Sequence, residues 1–210
     1  MKALLYREQM VFFFKKNAKF SSFELSTALY KSLKKDLKHS EPVVLPIPDD
    51  APEDMPRVIW NDETIKLSFS RQTLTISVDI PTACSWDKRA KDISAKVSEA
   101  FNDTGMLIDR IGIVVEANTE EDLHDKLIQL ISIPDYESSK ESNVSWLTTE
   151  RNFNIWTYLI FDVTRDVNRI TIDVNSQEDY VLSERGMTVM EAVNSIVSIL
   201  KERIESDVWE

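Results

Sequence analysis

The side chains best suited to acid–base or nucleophilic chemistry are few in this chain. Cys84 is the only cysteine, and His39 and His124 are the only histidines. A catalytic nucleophile needs a base close to it, and the sequence contains no G-x-S-x-G, H-E-x-x-H or glycine-rich phosphate motif. Cys84 precedes a predicted helix, a position that can activate a thiol, but a buried inert thiol and two ordinary surface histidines explain all three residues. We therefore expect no catalytic site and no enzyme activity.

Carboxylates are too numerous for their spacing alone to indicate chemistry, since 36 residues are Asp or Glu. Asp49, Asp50, Glu53 and Asp54 lie close together and could bind a divalent cation. They lack the alternating ligand positions and the glycine of a calcium loop, so we expect solvated acids, no metal and no cofactor. A carboxylate-based enzyme remains a third hypothesis, and it would require two acids in one pocket with separated pKa values.

The charge is distributed unevenly along the chain. The net charge is −11, which disfavours a general nucleic-acid binder because phosphate attraction needs clustered positive charge. Residues 1–40 carry nine Lys or Arg and three Asp or Glu, whereas residues 41–55 carry five acids and no base. Either the basic segment is neutralised by acidic neighbours, or the two-signed surface orients a charged partner.

The candidate partner-binding residues come from three segments. A helix predicted over 22–38, with Ser21 or Ser22 as its N-cap, carries lysines at i, i+3, i+4 and i+7 opposite its apolar stripe. A solvated helix face explains them, and contact with an acidic partner, a phosphate backbone or lipid headgroups is the alternative. Trp146 follows a predicted polar loop, and we expect it to be exposed because tryptophan anchors interfaces. The full set is Lys31, Lys34, Lys35, Lys38, Asp49, Asp50, Glu53, Asp54 and Trp146.

Hydrophobic periodicity predicts alternating groups of strands and helices. Period-two patterns in 65–69 and 74–80 indicate a hairpin with one face on a core, which is typical of antiparallel sheets. Further strands are predicted at 2–16, 57–60, 107–116, 144–149, 153–163 and 169–174. Further helices are predicted at 86–103, at about 119–131 after a cap at Asn118 or Thr119, and at 188–207.

Glycine and proline mark the irregular positions. Five of the seven prolines lie within 39–56, which predicts an extended, unpaired surface connection rather than a domain boundary. Gly105 follows the second helix, as expected for a left-handed C-cap. Gly112 lies inside a strand and indicates a bulge or a close backbone approach.

The order of these elements predicts the fold. A strand, a helix, three strands and a helix occur in residues 1–105, and the same order returns in 106–210. No residue-level repeat accompanies it, so element order alone suggests a duplication. We predict an α+β fold in a single domain, 1–210, with a mainly antiparallel sheet, helices on one face and two pseudo-repeated β-α-β-β-β-α halves as the candidate arrangement.

Two segments resemble a known family. The strand Asp109-Arg-Ile-Gly-Ile-Val-Val-Glu-Ala-Asn118 is similar to the R-I-G-hydrophobic…N strand of an uncharacterised, sporadically distributed prokaryotic family of similar length. The Pro56-Arg-Val-Ile-Trp…Leu67-Ser-Phe-Ser70 hairpin and the long C-terminal helix also match in order, although the helix lacks the family's histidine. The resemblance implies an α+β fold and an accessory gene scattered among microbes, and it implies no catalytic residues.

These observations favour a function that depends on surface shape and charge. We find no secretory signal and no apolar stretch that could span a membrane, so we expect a cytoplasmic protein without a membrane partner. The leading hypothesis is a non-catalytic protein-binding module, of the immunity-protein, antitoxin or phage-conflict inhibitor type, acting through an acidic surface. The alternative is a small-ligand or nucleic-acid-binding module that uses the sheet face or the lysine-rich helix. A homodimer is left open.

Overall fold

One antiparallel sheet organises the chain. The computed structural model describes residues 3–16, 21–37, 40–48, 50–80, 85–119, 123, 141–162 and 167–205. The strands within these ranges are β1 (Ala3–Phe14), β2 (Val43–Val44), β3 (Val58–Asn61), β4 (Ile65–Phe69), β5 (Thr73–Asp79), β6 (Ile108–Thr119), β7 (Glu141–Glu150), β8 (Phe153–Asp162) and β9 (Val167–Ser176). They pair in the order β2-β3-β4-β5-β1-β6-β9-β8-β7. The predicted α+β class with a mainly antiparallel sheet is confirmed.

Period-two sequences form the strands as predicted, because alternate residues reach a common core. In the β4–β5 hairpin, Leu67 pairs with Ile76 and both side chains are buried. The turn between the strands is closed by the Ser70 hydroxyl, which accepts hydrogen bonds from the backbone N–H groups of Gln72 (3.0 Å) and Thr73 (3.1 Å). The hairpin is therefore fixed both by its apolar face and by its turn chemistry.

Three helices are described, and polar caps define their ends. They are α1 (Ser22–Leu33), α2 (Trp86–Thr104) and α3 (Val189–Glu205). The Ser21 hydroxyl accepts from the Glu24 N–H and caps α1, as predicted. Gly105 ends α2 at φ 68°, the predicted left-handed C-cap. Thr188 and Glu191 form a reciprocal capping box before α3.

The helices pack on the face of the sheet that carries Met10 and Phe12. The rings of Phe12 and Phe101 meet edge to face with centroids 5.6 Å apart, and the Ser94 hydroxyl lies 3.4 Å from the Met10 sulfur. Both Phe101 and Ser94 belong to α2, which packs against α1 and α3, and α3 also contacts β6 and β9. Burial of these apolar faces supplies the main stabilisation of the fold.

The strand order is the one that two β-α-β-β-β-α halves would produce. The first strands of the halves, β1 and β6, pair at the centre of the sheet. Outward from β1 lie β5, β4 and β3, and outward from β6 lie β9, β8 and β7. Among the described strands, β2 extends the first half alone. The helix predicted between β6 and β7 falls outside the described residues, except for the buried Leu123.

Three local expectations need correction. The segment 39–56 is not wholly unpaired, because Val43 and Val44 pair with Ile59 and Val58 of β3. The helix predicted over 22–38 ends at Leu33, and turns bring the buried Leu37 back onto the core. The strand β6 continues through Thr119, so the residues expected to cap a third helix are strand residues.

Gly112 makes the close approach that its place in a strand predicts. It pairs with Val11 on one side and Asn175 on the other, and no register shift occurs there. A Cβ atom added to it would lie 3.1 Å from the Asn175 Cβ. The glycine therefore allows β6 and β9 to approach closely at the middle of the sheet.

Candidate functional site

The predicted lysine stripe is not a continuous helix face. Lys31 lies in the last turn of α1, whereas Lys34 and Lys35 follow the end of the helix, and Lys38 lies outside the described residues. The three described lysines are exposed and form no ion pair with a residue that the structure describes. By contrast, Lys96 of α2 bridges Asp36 and Asp92 at 2.9 and 2.6 Å. The lysines at the end of α1 thus leave positive charge open to solvent.

The predicted acidic loop is exposed and is held by a buried arginine. Asp50, Glu53 and Asp54 are exposed, and Asp49 lies outside the described residues. The Arg57 guanidinium donates to the carbonyl oxygens of Ile47 (3.2 Å), Pro48 (3.0 Å) and Ala51 (3.4 Å). These bonds satisfy carbonyl groups for which the proline-rich segment offers few backbone donors. Sequence reasoning missed Arg57, because no local pattern marks it as buried.

Trp146 does not have the exposure expected of it. It lies on the core side of β7, opposite the buried Thr157 of β8, and packs half-buried against the hydrophobic core. The adjacent Leu147 lies on the opposite face of the sheet and is 45% exposed. The polar loop before β7 suggested exposure, but the alternation from Val144 assigns Trp146 to the core face.

A groove between α1 and the edge strand β2 contains the most exposed aromatic side chain among the described residues. Phe23 is 74% exposed, and Tyr30, on the same side of α1, is 37% exposed. With Ser26, Thr27, Glu41, Pro42 and Val44 they line a groove of about 320 Å³. A second groove of about 410 Å³, lined by Lys31, Asp103 and Glu24 among others, lies on the other side of Phe23.

The apolar surface continues onto the sheet edge. Val43 and Val44 are 53% and 56% exposed, and within the described sheet β2 pairs only with β3. Single exposed apolar residues are ordinary, but a contiguous group beside an open strand edge is typical of an interaction site. Sequence reasoning missed this group, although one signal was present: Phe23 lies in α1 outside the stripe formed by Leu25, Ala28 and Leu29.

The sheet face opposite the helices carries aromatic and polar residues. Trp156 and Tyr158 of β8 stack at 6.1 Å between ring centroids, and Trp156 pairs across the ladder with Asp173 of β9. Asp173 accepts a hydrogen bond from the Asn175 amide at 3.2 Å, and burial raises its pKa. Aromatic rings beside an acid could hold a small cationic or polar ligand.

Much of the central part of this face is paired internally. The Tyr6 hydroxyl donates to the Glu116 carboxylate at 2.5 Å, and burial together with this bond raises the pKa of Tyr6 to about 12. The Arg110 guanidinium lies over the Phe13 ring at 4.6 Å. Such pairs stabilise a sheet surface without any ligand.

Two acids near the N-terminus of α2 have separated pKa values. Burial raises the pKa of Glu8 to about 8, with nearby Arg89 acting in the opposite direction and Asp87 reinforcing the rise. The pKa of Asp87 is lowered to about 2 by hydrogen bonds from Ser85 and from Lys201, whose Nζ lies at 2.9 Å. A carboxylate enzyme requires such a separation, but the Glu8 side chain is fully buried and makes no hydrogen bond with another described residue. Burial accounts for its raised pKa.

The remaining candidates for chemistry fall outside the structure or form no cluster. Cys84, His39 and His124 lie outside the described residues. Among the residues that are described, no three His, Cys, Asp or Glu side chains gather where they could hold a metal ion. Over the same residues, no helix combines the length and the apolarity needed to cross a membrane.

No protein-family model matches this chain, and no curated protein matches it significantly. The resemblance to the sporadic prokaryotic family therefore stays a prediction.

Proposed function

We propose that this chain is a non-catalytic protein-binding module whose contact surface is the groove between α1 and β2. The exposure of Phe23 beside Tyr30 and Val44 carries the proposal. A phenylalanine placed in water contributes little to folding, whereas desolvated aromatic side chains dominate binding energies. The edge of β2 and the exposed Lys31, Lys34 and Lys35, none of which is paired with another described residue, lie near the same surface.

We propose that the chain acts in the cytoplasm of a microbe. There it would inhibit or neutralise its partner, as immunity proteins and antitoxins do. The net charge of −11 supports a partner with a basic surface, such as a protein that acts on nucleic acid. Complementary charge accelerates such an encounter, and the apolar groove then supplies affinity that salt does not screen. The exposed acids Asp50, Glu53 and Asp54 add negative charge on the loop that Arg57 holds.

A quantitative affinity purification from the native host tests this function. The wild type is compared with Phe23→Asp and with the control Leu107→Asp, which changes a 50% exposed leucine outside the groove. We expect one stoichiometric protein to be retained by the wild type and the control and to be lost with Phe23→Asp. If no protein is retained stoichiometrically, or if retention ignores Phe23, the proposed function is wrong.

A second candidate function uses the opposite face of the sheet. The Trp156–Tyr158 stack beside Asp173 favours a small cationic or polar ligand there. Tryptophan fluorescence during titration with a metabolite panel tests this, since Trp156 would report occupancy and Trp156→Phe would remove the signal. Binding of RNA or DNA through the lysines is the electrostatic version. It predicts that affinity falls steeply with salt and is lost when Lys31, Lys34 and Lys35 are reversed together.

A further inference from the structure

We infer that the groove takes an extended segment of a partner polypeptide, which adds to the free edge of β2 as a further strand and inserts one apolar side chain between Val44 and Phe23. This inference rests on the proposed function and specifies how the partner is recognised. It follows from the direction of the backbone groups of β2, the face on which the Val44 side chain lies, and the two prolines that bound the strand.

The backbone of Val44 faces the open edge of the sheet. The Leu45 N–H donates to the Arg57 carbonyl oxygen at 2.8 Å, so Leu45 turns its N–H toward β3. In an antiparallel ladder successive residues point these groups in opposite directions. The Val44 N–H and C=O therefore point outward, where the described residues place no further strand. An extended polypeptide backbone presents a donor and an acceptor at the matching spacing.

Two prolines restrict this edge to a single site. Pro42 and Pro46 flank the strand and offer no N–H, because proline carries none. Val44 is therefore the one outward-facing N–H donor within 42–46. This arrangement prevents a long strand from pairing here, as edge prolines commonly do, and it fixes the register of a short one.

The partner residue that pairs with Val44 would place its side chain in the groove. Val44 pairs with Val58, which is fully buried in the core, so the Val44 side chain lies on the side of the sheet that the helices occupy. Residues directly opposite each other in a strand pair project from the same face. The partner residue opposite Val44 would therefore enter the groove beside Phe23 and Tyr30. A volume of about 320 Å³ suits a short segment with one large apolar side chain.

Charges of both signs flank the groove, because Glu41 lines it and Lys34 lies at the end of α1. Phe23, Thr27 and Tyr30 share one side of α1, and Lys34 falls next on that side at the i+11 position. The C-cap backbone at Lys34 keeps helical dihedral angles, φ −56° and ψ −23°. Lys35 is exposed but lies off this row, which makes it a matched control. We expect the preferred segment to combine an apolar residue with an aspartate or glutamate that reaches Lys34.

The test is selection of linear peptides on the full-length chain from a random library, followed by fluorescence-polarisation titration of the selected peptides. N-methylation removes single backbone N–H groups from a peptide, and the pattern along the peptide is the diagnostic readout. We expect a loss of about ten-fold or more where the methylated N–H faces the Val44 carbonyl oxygen, and little change at the positions on either side of it. Selected peptides that tolerate methylation at every position, or that bind as helices, would overturn the inference.

Variants of the protein provide the complementary readout. Val44→Pro removes the outward N–H and leaves the bond of Leu45 to β3, whereas Val44→Thr keeps both the N–H and the branched side chain. We expect Val44→Pro to lose binding and Val44→Thr to keep most of it. Thermal unfolding checks that both variants are folded. Lys34→Glu should weaken the selected acidic peptides more than Lys35→Glu does. Equal binding by Val44→Pro and Val44→Thr would reject strand addition even if one of the pair were less stable.

The outcomes separate this inference from the proposed function. If the host partner is lost with Phe23→Asp but is indifferent to Val44→Pro, the binding function stands and strand addition is wrong. If neither change affects a partner, both are wrong. Concentration-dependent dimerisation that Val44→Pro abolishes would make a second copy of this chain the occupant and would also overturn the inference.

Discussion

The Arg57 guanidinium donates to the Pro48 carbonyl oxygen at 3.0 Å and thereby ties the proline-rich segment to the start of β3. Arg57 is only 6% exposed, and its two terminal nitrogens serve three carbonyl groups of the segment. The bonds therefore hold Ile47, Pro48 and Ala51 around Arg57 without regular secondary structure. Because β2 precedes the segment directly, Arg57 also helps to hold the free edge in place.

Replacing Arg57 with leucine should destabilise the protein and loosen this segment. The change removes three charge-assisted hydrogen bonds to carbonyl groups, of which only that of Pro48 keeps a backbone donor, the Ala51 N–H at 3.2 Å, among those the structure gives, at a cost of about 2–4 kcal/mol. Urea unfolding measures the loss, and limited proteolysis should show new cleavage within 47–54. Lys35→Leu, which alters an exposed cation, is the control and should change neither. An unchanged cleavage pattern in Arg57→Leu would show that the prolines alone hold the segment.

The buried Glu8 should make stability fall as the pH rises. Its pKa is about 4.5 when unfolded and about 8 when folded, so the folded state binds the extra proton between these values. Stability is then full below about pH 4.5 and declines through pH 8, by an amount on the order of a few kcal/mol. Glu8→Gln should flatten this decline and be more stable than the wild type at pH 9.

The measurement is urea unfolding at pH 5, 7 and 9, with Glu99→Gln, an exposed acid of α2, as the control. Asp87 does not interfere, because its lowered pKa of about 2 acts only below pH 4. Burial raises the pKa of Asp173 as well, so the wild type and Glu8→Gln must be compared as a difference. Parallel pH profiles for the two proteins would contradict the assignment of the proton to Glu8.

Sequence periodicity predicted the elements that bury their own apolar faces. The alternation of Leu67 and Phe69 predicted β4, and the hydroxyl of Ser21 predicted the start of α1, because both signals are local. The pairing of Val43 was not predictable, since it depends on β3, which is remote in sequence. The burial of Arg57 likewise depends on carbonyl groups of the proline segment, which lie six to ten residues away in sequence.

The candidate site was missed for a different reason. The polar loop before Trp146 suggests an exposed side chain, whereas the alternation of Trp146 with Val144 assigns it to the core face. The exposure of Phe23 could have been predicted, because this residue lies outside the apolar stripe of α1. The acid at Glu8 shares the parity of Met10 and Phe12, so its burial was also readable. An aromatic residue off the stripe or an acid on it is informative, because each contradicts the pattern of its own element.

Gly112→Ala should destabilise the centre of the sheet. The new Cβ would lie 3.1 Å from the Asn175 Cβ, and neither strand can move without disturbing the pairing of β6 with β9. Overpacking of this kind costs about 1–3 kcal/mol. The check is a double-mutant cycle with Asn175→Gly, which removes the opposing Cβ, and the coupling should recover a substantial part of the loss. Strictly additive effects would show that the close approach is not the cause.

Truncation should lower the free energy of unfolding strongly at Phe101 and hardly at all at Phe23, since only Phe101 lies in the core. Phe101 packs against Phe12 and Phe14 and is 2% exposed, so Phe101→Ala should cost about 3–5 kcal/mol. Phe23 is 74% exposed, and Phe23→Ser should change the free energy of unfolding by no more than about 0.5 kcal/mol. Urea unfolding of both variants measures the contrast. A loss of more than about 2 kcal/mol in Phe23→Ser would mean that this ring is needed for folding. The ring would then no longer support the groove as a binding surface.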